Sequence, residues 1–418
     1  VSFLINMALV KNAKDRRVAI VAGSVNPVGG TEIYVGAAIQ VLVDAGYQVS
    51  VYLNDMRIPS HLAGLGGVRF VDAGAWFLSR RQFMSDWRNI RRRRDLIADI
   101  IKNSSVAIFH GLHSRHLFNA LAGHVKIVIA FHLVSHFCPA GTRYLPASNT
   151  LCDRRPGPTC LATDFREGCL KHVFNGKLPP LMIPEVLMFK RNIRMMSSPA
   201  RALLFNSDAM RELVSDEPLI NGKSYVINPP LIHAGDSIPG IYRRRNMVFV
   251  GRLDASKGCS DAIACLAHLP EQVTLDIVGD GREKKRLVDL SASLGVEQRI
   301  VWHGWIPTKN VLALLSSSGC LLVPSRLFEA WGQVGPQALS AGCPVVAYDV
   351  GGVKDWSLPG MTTYIEAGNV KKMADAAAKF LMEKRPLNES VVQEARTRFG
   401  MSRFGREYIK MVSSCIET

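Results

Sequence analysis

Between Cys320 and Tyr348 the chain spells out one complete strand, loop, helix, strand unit, a connection that parallel strands require. Cys320-Leu-Leu-Val323 is an apolar run stopped by Pro324, and the loop from Ser325 to Gly332 holds a single acid, Glu329. A short amphipathic segment leads to Gly342-Cys-Pro344 and a second β-rich run that starts at Val345. In open α/β sheets ligands collect beyond the carboxyl ends of strands, and a helix starting there offers unpaired N–H groups to an anion. A lone acid beside such a cradle points to a ligand carrying both hydroxyls and negative charge. A sugar nucleotide is the simplest molecule of that description.

The same alternation runs through the rest of the chain. Arg17 to Ala22 is β-rich, the loop Ser24 to Glu32 contains Gly29-Gly30, Ile33, Ala37, Val41 and Leu42 have helical spacing, and Gly46 to Leu53 returns as a strand. Adjacent glycines allow close backbone approach by a ligand, and they equally suit a tight turn. Val106 to His110 and Lys126 to His132 are buried-type strands that each end in a histidine, where a ring faces the crevice at the edge of a parallel sheet. Arg201 to Phe205 is another strand, with a helix cap expected at Asn206 or Ser207, and Pro229-Pro230 reads as the end of a domain. A second series begins at Asn246 and continues through Leu275 to Gly281 and Ile300 to Trp305. With 418 residues, two or three domains are expected.

The second series holds the cations that an anionic ligand needs. Arg252 and Lys257 are five positions apart in a loop flanked by Gly251 and Gly258. A guanidinium forks two phosphate oxygens and an ammonium supplies a movable point charge, so the pair offsets a diphosphate. The sequence contains no Asp-x-Asp, the usual carboxylate pair for a metal diphosphate, so no metal is assigned.

Charge is unevenly spread. The net +16 divides into 28 basic against 16 acidic residues through Pro230 and 23 against 19 afterwards. Such an N-terminal half implies an anionic partner: nucleic acid, a phospholipid surface or a phosphorylated substrate. No nucleic-acid motif accompanies the charge, so that partner ranks last. Between Trp76 and Lys102, Phe83, Trp87, Ile90, Ile97 and Ile101 share a helical stripe, while Arg91 to Arg94 lie mostly on other faces. This is either a basic amphipathic helix for an anionic membrane or an ordinary helix packed on its own domain. No window is long and apolar enough to span a bilayer, and the first ten residues lack a signal-peptide pattern, so a cytoplasmic or peripheral protein on the cytoplasmic membrane face is expected. Of nine cysteines, Cys138, Cys152, Cys160 and Cys169 cluster in sequence with His136 and His172 nearby. They lack close C-x2-C pairs, which leaves structural zinc as the less favoured alternative to a reduced cluster anchoring a loop.

Gly29-Gly-Thr-Glu32, Gly251-Arg-Leu-Asp-Ala-Ser-Lys-Gly258, Ile277-Val-Gly-Asp-Gly281, Pro324-Ser325, Glu329-Ala-Trp-Gly332 and Ala341-Gly-Cys-Pro-Val-Val346 together resemble glycosyltransferase family 4, retaining enzymes of the GT-B fold. The resemblance is specific in the C-terminal half and loose from about Trp76 to Met196. It implies two doubly wound Rossmann-like α/β domains facing across a cleft: 1–230 with a cysteine-containing insertion at about 138–172, 231–398 for the donor, and a 399–418 helix crossing back. It implies a metal-independent transferase, taking a sugar from a nucleotide-diphosphate donor to a glycan or polyprenyl-linked acceptor, in cell-surface polysaccharide synthesis. Arg252 and Lys257 would hold the diphosphate, Glu329 the sugar hydroxyls, and His132 would lie near the anomeric carbon. Gly29, Gly30, Gly279, Gly332, Gln333, Val334 and Gln337 would line the donor side. Gln337 stands where the family commonly has a glutamate that clasps the ribose. Two alternatives stay open: a catalytically weak or inactive subunit that binds glycan or nucleotide, and a sugar-nucleotide epimerase of related fold.

Overall fold

The computed structural model describes residues 16–26, 29–74, 90–111, 115–170, 180, 182–215, 224–231, 246–382 and 389–417. Its first sheet is built from β1 (Arg17–Ala22), β2 (Gln48–Leu53), β3 (Val68–Asp72), β4 (Val106–His110), β5 (Lys126–Phe131), β8 (Ala202–Phe205) and β9 (Ser224–Val226). A small hairpin, β6 (Tyr144–Leu145) and β7 (Thr150–Leu151), stands apart from it. The order is β3-β2-β1-β4-β5-β8-β9, every neighbour parallel. The second sheet uses β10 (Asn246–Val250), β11 (Thr274–Val278), β12 (Ile300–Gly304), β13 (Cys320–Val323), β14 (Val345–Tyr348) and β15 (Thr362–Ile365), in the order β12-β11-β10-β13-β14-β15, again all parallel. Strand order reverses between β1 and β4 and between β10 and β13, and at such reversals the flanking loops part to leave a crevice.

The strands obey this plan because helices cover both faces. Val18 to Val21 in β1 are wholly buried, an uninterrupted apolar run that only a two-sided cover satisfies. On one face lies the Gly30–Asp44 helix, and beside it the C-terminal Met401–Glu417 helix. Phe404, Tyr408, Met411 and Val412 of the latter belong to the same core as Val35, Ile39 and Leu42 of the former. Close approach is allowed at Gly405, where an added Cβ would lie 3.4 Å from Val41. The preceding Glu389–Phe399 helix contributes Ala395 and Phe399 to the second core, so the chain changes domains at Gly400, which bridges to Leu231.

The two open readings of the N-terminal half resolve unequally. In the described part of the arginine-rich region, the Ile90–Asn103 helix, Ile100 is buried and Leu96, Ile97 and Ile101 pack against the core of the first sheet. Those apolar groups are therefore committed to the domain; Phe83 and Trp87 lie outside the described residues, as do the side chains of Arg91, Arg92 and Arg93. All nine cysteines are free thiols, and among the described residues no three or more His, Cys, Asp or Glu side chains form a metal-ligating group. Cys169 packs with Ala140, Leu170 and Val186, and Cys138 and Cys160 sit at the edge of that cluster. Burial pushes the Cys152 and Cys160 thiols up and Cys169 to about 12. His172 is outside the described residues, and His136 lies against Phe131 with ring centroids 5.5 Å apart. The loop carrying these cysteines reaches the second domain: the Phe328 N–H donates to Thr142 O at 3.1 Å, Arg326 Nη1 donates to Asn149 O at 2.9 Å, and Leu151 packs against the second core. No described helix is long and apolar enough to cross a membrane.

Candidate functional site

The crevices of the two sheets face each other, and the side that belongs to the second domain is assembled by backbone contact. After β10 the chain turns through Gly251 and Arg252 into a 3-10 turn, Ala255–Lys257, capped by Asp254 Oδ1 accepting from the Ser256 N–H at 3.1 Å. Gly258 follows at φ 71°, and a Cβ there would lie 1.9 Å from Pro324 O. Gly279, at φ 129°, is as tight: its Cβ would meet Gly251 O at 1.9 Å. Both positions need glycine for conformation and for space. Their result is that the loops after β10, β11 and β13 are pressed together, which brings Lys257 beside Glu329.

Lys257 Nζ lies 2.6 Å from Glu329 Oε1, and the Ser325 hydroxyl donates to the same oxygen at 2.5 Å. Glu329 is only 7% exposed. Burial pushes its carboxyl up, but the charge and hydrogen bond of Lys257, the Ser325 hydroxyl and the more distant Arg252 outweigh that and hold it below its ordinary value. The carboxylate is thus ionised, and Glu329 lines the same cleft as Arg252 and Lys257. Such a site can bind sugar hydroxyls through Glu329 and neutralise phosphate through the two cations.

The opposite wall comes from the first domain. The Gly30–Asp44 helix begins at an extended Gly29 with no side-chain cap, and Gly30 and Thr31 line the cleft. The N–H groups of a first helical turn have no acceptor within the helix, so this wall offers donors. His132, just past β5, and Asn206, just past β8, complete it. The cleft measures about 420 Å³, a size suited to a small-molecule ligand.

Of the residues expected from sequence, Gly30, His132, Arg252, Lys257, Glu329, Gly332, Gln333 and Val334 meet around this one cavity. Gly29, Gly279 and Gln337 are not among its lining residues. Gly279 acts behind it, by the loop contact above, while Gln337 is half-buried within the Val334–Ser340 helix. Gln333 donates from Nε2 to Pro230 O at 3.0 Å and so ties the donor loop to the linker between the domains. Sequence reasoning did not select Ser325 or Asn206 for the site. Ser207 is the helix cap, its Oγ accepting from the Met210 N–H at 3.1 Å, which leaves Asn206 to face the cleft. The signal for Asn206 is its place after an apolar run whose last residue, Phe205, pairs with Phe131 next to His132.

His132 is placed differently from a free catalytic imidazole. It is 4% exposed, with Nδ1 3.0 Å from Asn206 Oδ1 and Nε2 2.7 Å from His110 Nδ1. Burial lowers its pKa to about 4, only partly offset by the Asn206 bond, so the ring is neutral near pH 7.

This is a protein of the GT-B fold, and solved structures of that architecture cover nearly all of it. The lipopolysaccharide outer core galactosyltransferase WaaB superposes with a TM-score of 0.67 at 16% identity, covering 95% of this chain and 99% of WaaB. Anabaena HepE in complex with UDP and glucose gives 0.64 at 16% identity, covering 95% and 99%. Residues 239–398 match the family model for glycosyl transferases group 1, so the second domain carries that group's signature. Similar curated proteins include the 2-deoxystreptamine glucosyltransferase of Streptomyces kanamyceticus, 32% identical over 35% of this chain and 40% of its own length. The lipopolysaccharide 1,6-galactosyltransferase of Salmonella typhimurium is 32% identical over 27% and 33%, respectively. The chain therefore spans less than half the length of these curated relatives.

Proposed function

We propose that this protein is a retaining glycosyltransferase that moves a hexosyl or related sugar from a nucleotide diphosphate to a hydroxyl of a glycan or a polyprenyl-linked glycan. The observation that carries the reading is Glu329 held ionised by Lys257 and Ser325 in a cleft that Arg252 also lines. In the proposed reaction the bond between the anomeric carbon and the diphosphate oxygen breaks, and Arg252 and Lys257 take up the charge that develops on the leaving group. The acceptor oxygen bonds to the anomeric carbon on the same face, and its proton passes to the departing diphosphate. Glu329 orients the sugar hydroxyls. The two cations supply the neutralisation without a call on metal. Among the described residues that line the cleft Glu329 is the only acid, so the facing carboxylate pair of a double-displacement glycosidase is not among them, which favours a same-face substitution.

The similar proteins named as glucosyl- and galactosyltransferases support a hexose donor, and the complex of HepE with UDP and glucose supports a nucleotide donor. The basic N-terminal half supports work at an anionic cytoplasmic membrane face, in cell-surface polysaccharide synthesis. Incubation with a panel of UDP-, ADP- and GDP-sugars is expected to release nucleoside diphosphate with at least one donor. Tight donor binding with no release, in the presence of lipid-linked and free glycan acceptors, would establish the binding-subunit reading instead. Interconversion of the donor sugar without transfer would establish an epimerase.

A further inference from the structure

Three neighbouring strands end in a line of polar side chains that the donor chemistry alone does not explain. In the first sheet β4, β5 and β8 are adjacent, with His110 paired to Ala130 and Phe131 paired to Phe205. That register sets His110 at the end of β4, His132 one residue past β5 and Asn206 one residue past β8 along one edge. The His110 and His132 rings are parallel within 4° and their centroids are 5.0 Å apart. A face-to-face stack cannot bring ring atoms closer than about 3.5 Å. The 2.7 Å N···N separation therefore means that the rings meet edge to edge, in one plane, through a hydrogen bond. Tyr34, from the helix that opens at the cleft, closes one face of the pair, its ring centroid 4.6 Å from His132 and 6.0 Å from His110.

The direction of the bonds follows from chemistry. An amide oxygen only accepts, so His132 Nδ1 carries the proton that meets Asn206 Oδ1. In a neutral ring Nε2 is then the acceptor, and the proton between the rings belongs to His110 Nδ1. Both nitrogens of His132 are thereby occupied, and neither is free to carry a proton to or from a substrate.

We infer that His110 is a positioning residue for the transfer reaction: with Asn206 it fixes His132 as the Nδ1–H tautomer in a single orientation against the sugar end of the cleft. This rests on the transferase reading and adds that His132 serves as a fixed wall of the sugar site. Loss of the in-plane bond frees the ring to rotate into the space where the sugar sits. A misplacement of about 1 Å at a reacting centre costs up to about 100-fold in rate.

The test uses the whole protein labelled with 15N at histidine. Long-range 1H–15N spectra of the unmodified protein are expected to show His132 protonated at Nδ1, the minor tautomer of a free imidazole. Replacing His110 is then read in two forms. His110→Ala leaves Asn206 as the ring's remaining partner and is expected to mix the Nε2–H tautomer into that signature and to lower kcat about 10-fold to 100-fold with little change in donor KM. In His110→Asn the amide N–H takes the place of Nδ1–H, and both the tautomer and most of kcat are expected to return. An Nε2–H signal for His132 in the unmodified protein, or unchanged kcat in His110→Ala, overturns the inference. A drop in His110→Ala that His110→Asn does not relieve overturns it too, as a general packing effect. Failure of the transferase reading looks different, because the unmodified protein then releases no nucleoside diphosphate at all.

Discussion

The two halves of the cleft are built by different means. On the donor side, position is enforced by backbone against backbone: glycines at 258 and 279 admit a neighbouring carbonyl to within 1.9 Å of where a Cβ would stand. On the opposite side Gly30 has nothing within 4 Å of its absent Cβ, and Gly29 faces only the movable Glu32 carboxylate at 2.8 Å. There, position comes from side chains, the line of His110, His132 and Asn206. A loop locked by sterics has little freedom to vary in sequence, whereas a wall built from side-chain hydrogen bonds can be built in many ways. Residues 239–398 match a family model, and solved GT-B structures cover nearly the whole chain.

The sharpest way to break the comparison is at the pair that both means serve. Lys257→Ala is expected to lower kcat by about 100- to 1,000-fold, the usual cost of losing one donor to a developing negative charge. It also leaves the Glu329 carboxylate buried without its ion-pair partner, an arrangement that costs about 3–5 kcal/mol when the charge persists. The variant is thus expected to lose stability as well as turnover. The pH dependence gives its sign. In the unmodified protein the folded Glu329 lies below its ordinary value of 4.5, so its contribution is present above that pH and lost as pH falls through the folded value. Without Lys257 burial prevails and the folded value rises above 4.5, so stability is full at acid pH and lost as pH rises. The difference in Tm between the two proteins should widen from pH 4 to pH 7, and a gap independent of pH would exclude a charged Glu329.

The glycines give the next largest effect. Gly279→Ala forces a methyl group against the Gly251 carbonyl from an unfavourable φ, and is expected to cost about 3 kcal/mol in urea unfolding. Gly30→Ala, with open space around it, should change stability by less than about 1 kcal/mol and register mainly in KM. Equal losses of stability from the two would erase the distinction between the walls.

How much of this was legible in sequence follows the same division. The strand ends were readable because apolar runs stop at Gly251, Pro324, His110 and His132, and so were the cations, because Arg252 and Lys257 sit between glycines. The role of Gly279 was not, because a ligand-lining glycine and one that lets two loops touch look alike in one dimension. Nor was the bond between His110 and His132: it depends on β4 and β5 being neighbours, with β1 on the other side of β4. The stripe that includes Ile97 and Ile101 allowed both a membrane and a core; those two residues pack on the core, while Phe83 and Trp87 of the same stripe lie outside the described residues.

Gln337 supplies the smallest effect and the finest test of what the donor side shares with its relatives. It lies in the first turn or so of the Val334–Ser340 helix, half-buried, with its N–H bonded to Gln333 O at 3.2 Å. A carboxylate there would gain from the helix N-terminus and would accept from a ribose hydroxyl more strongly than an amide does. Gln337→Glu is therefore expected to lower donor KM by about fivefold, near 1 kcal/mol, with kcat unchanged, since the ribose is remote from the bond that breaks. Because Gln337 does not line the cavity in this structure, that gain requires the bound nucleotide to extend past Val334 toward it. A donor KM that stays the same or rises would show that the nucleotide ends short of this helix face.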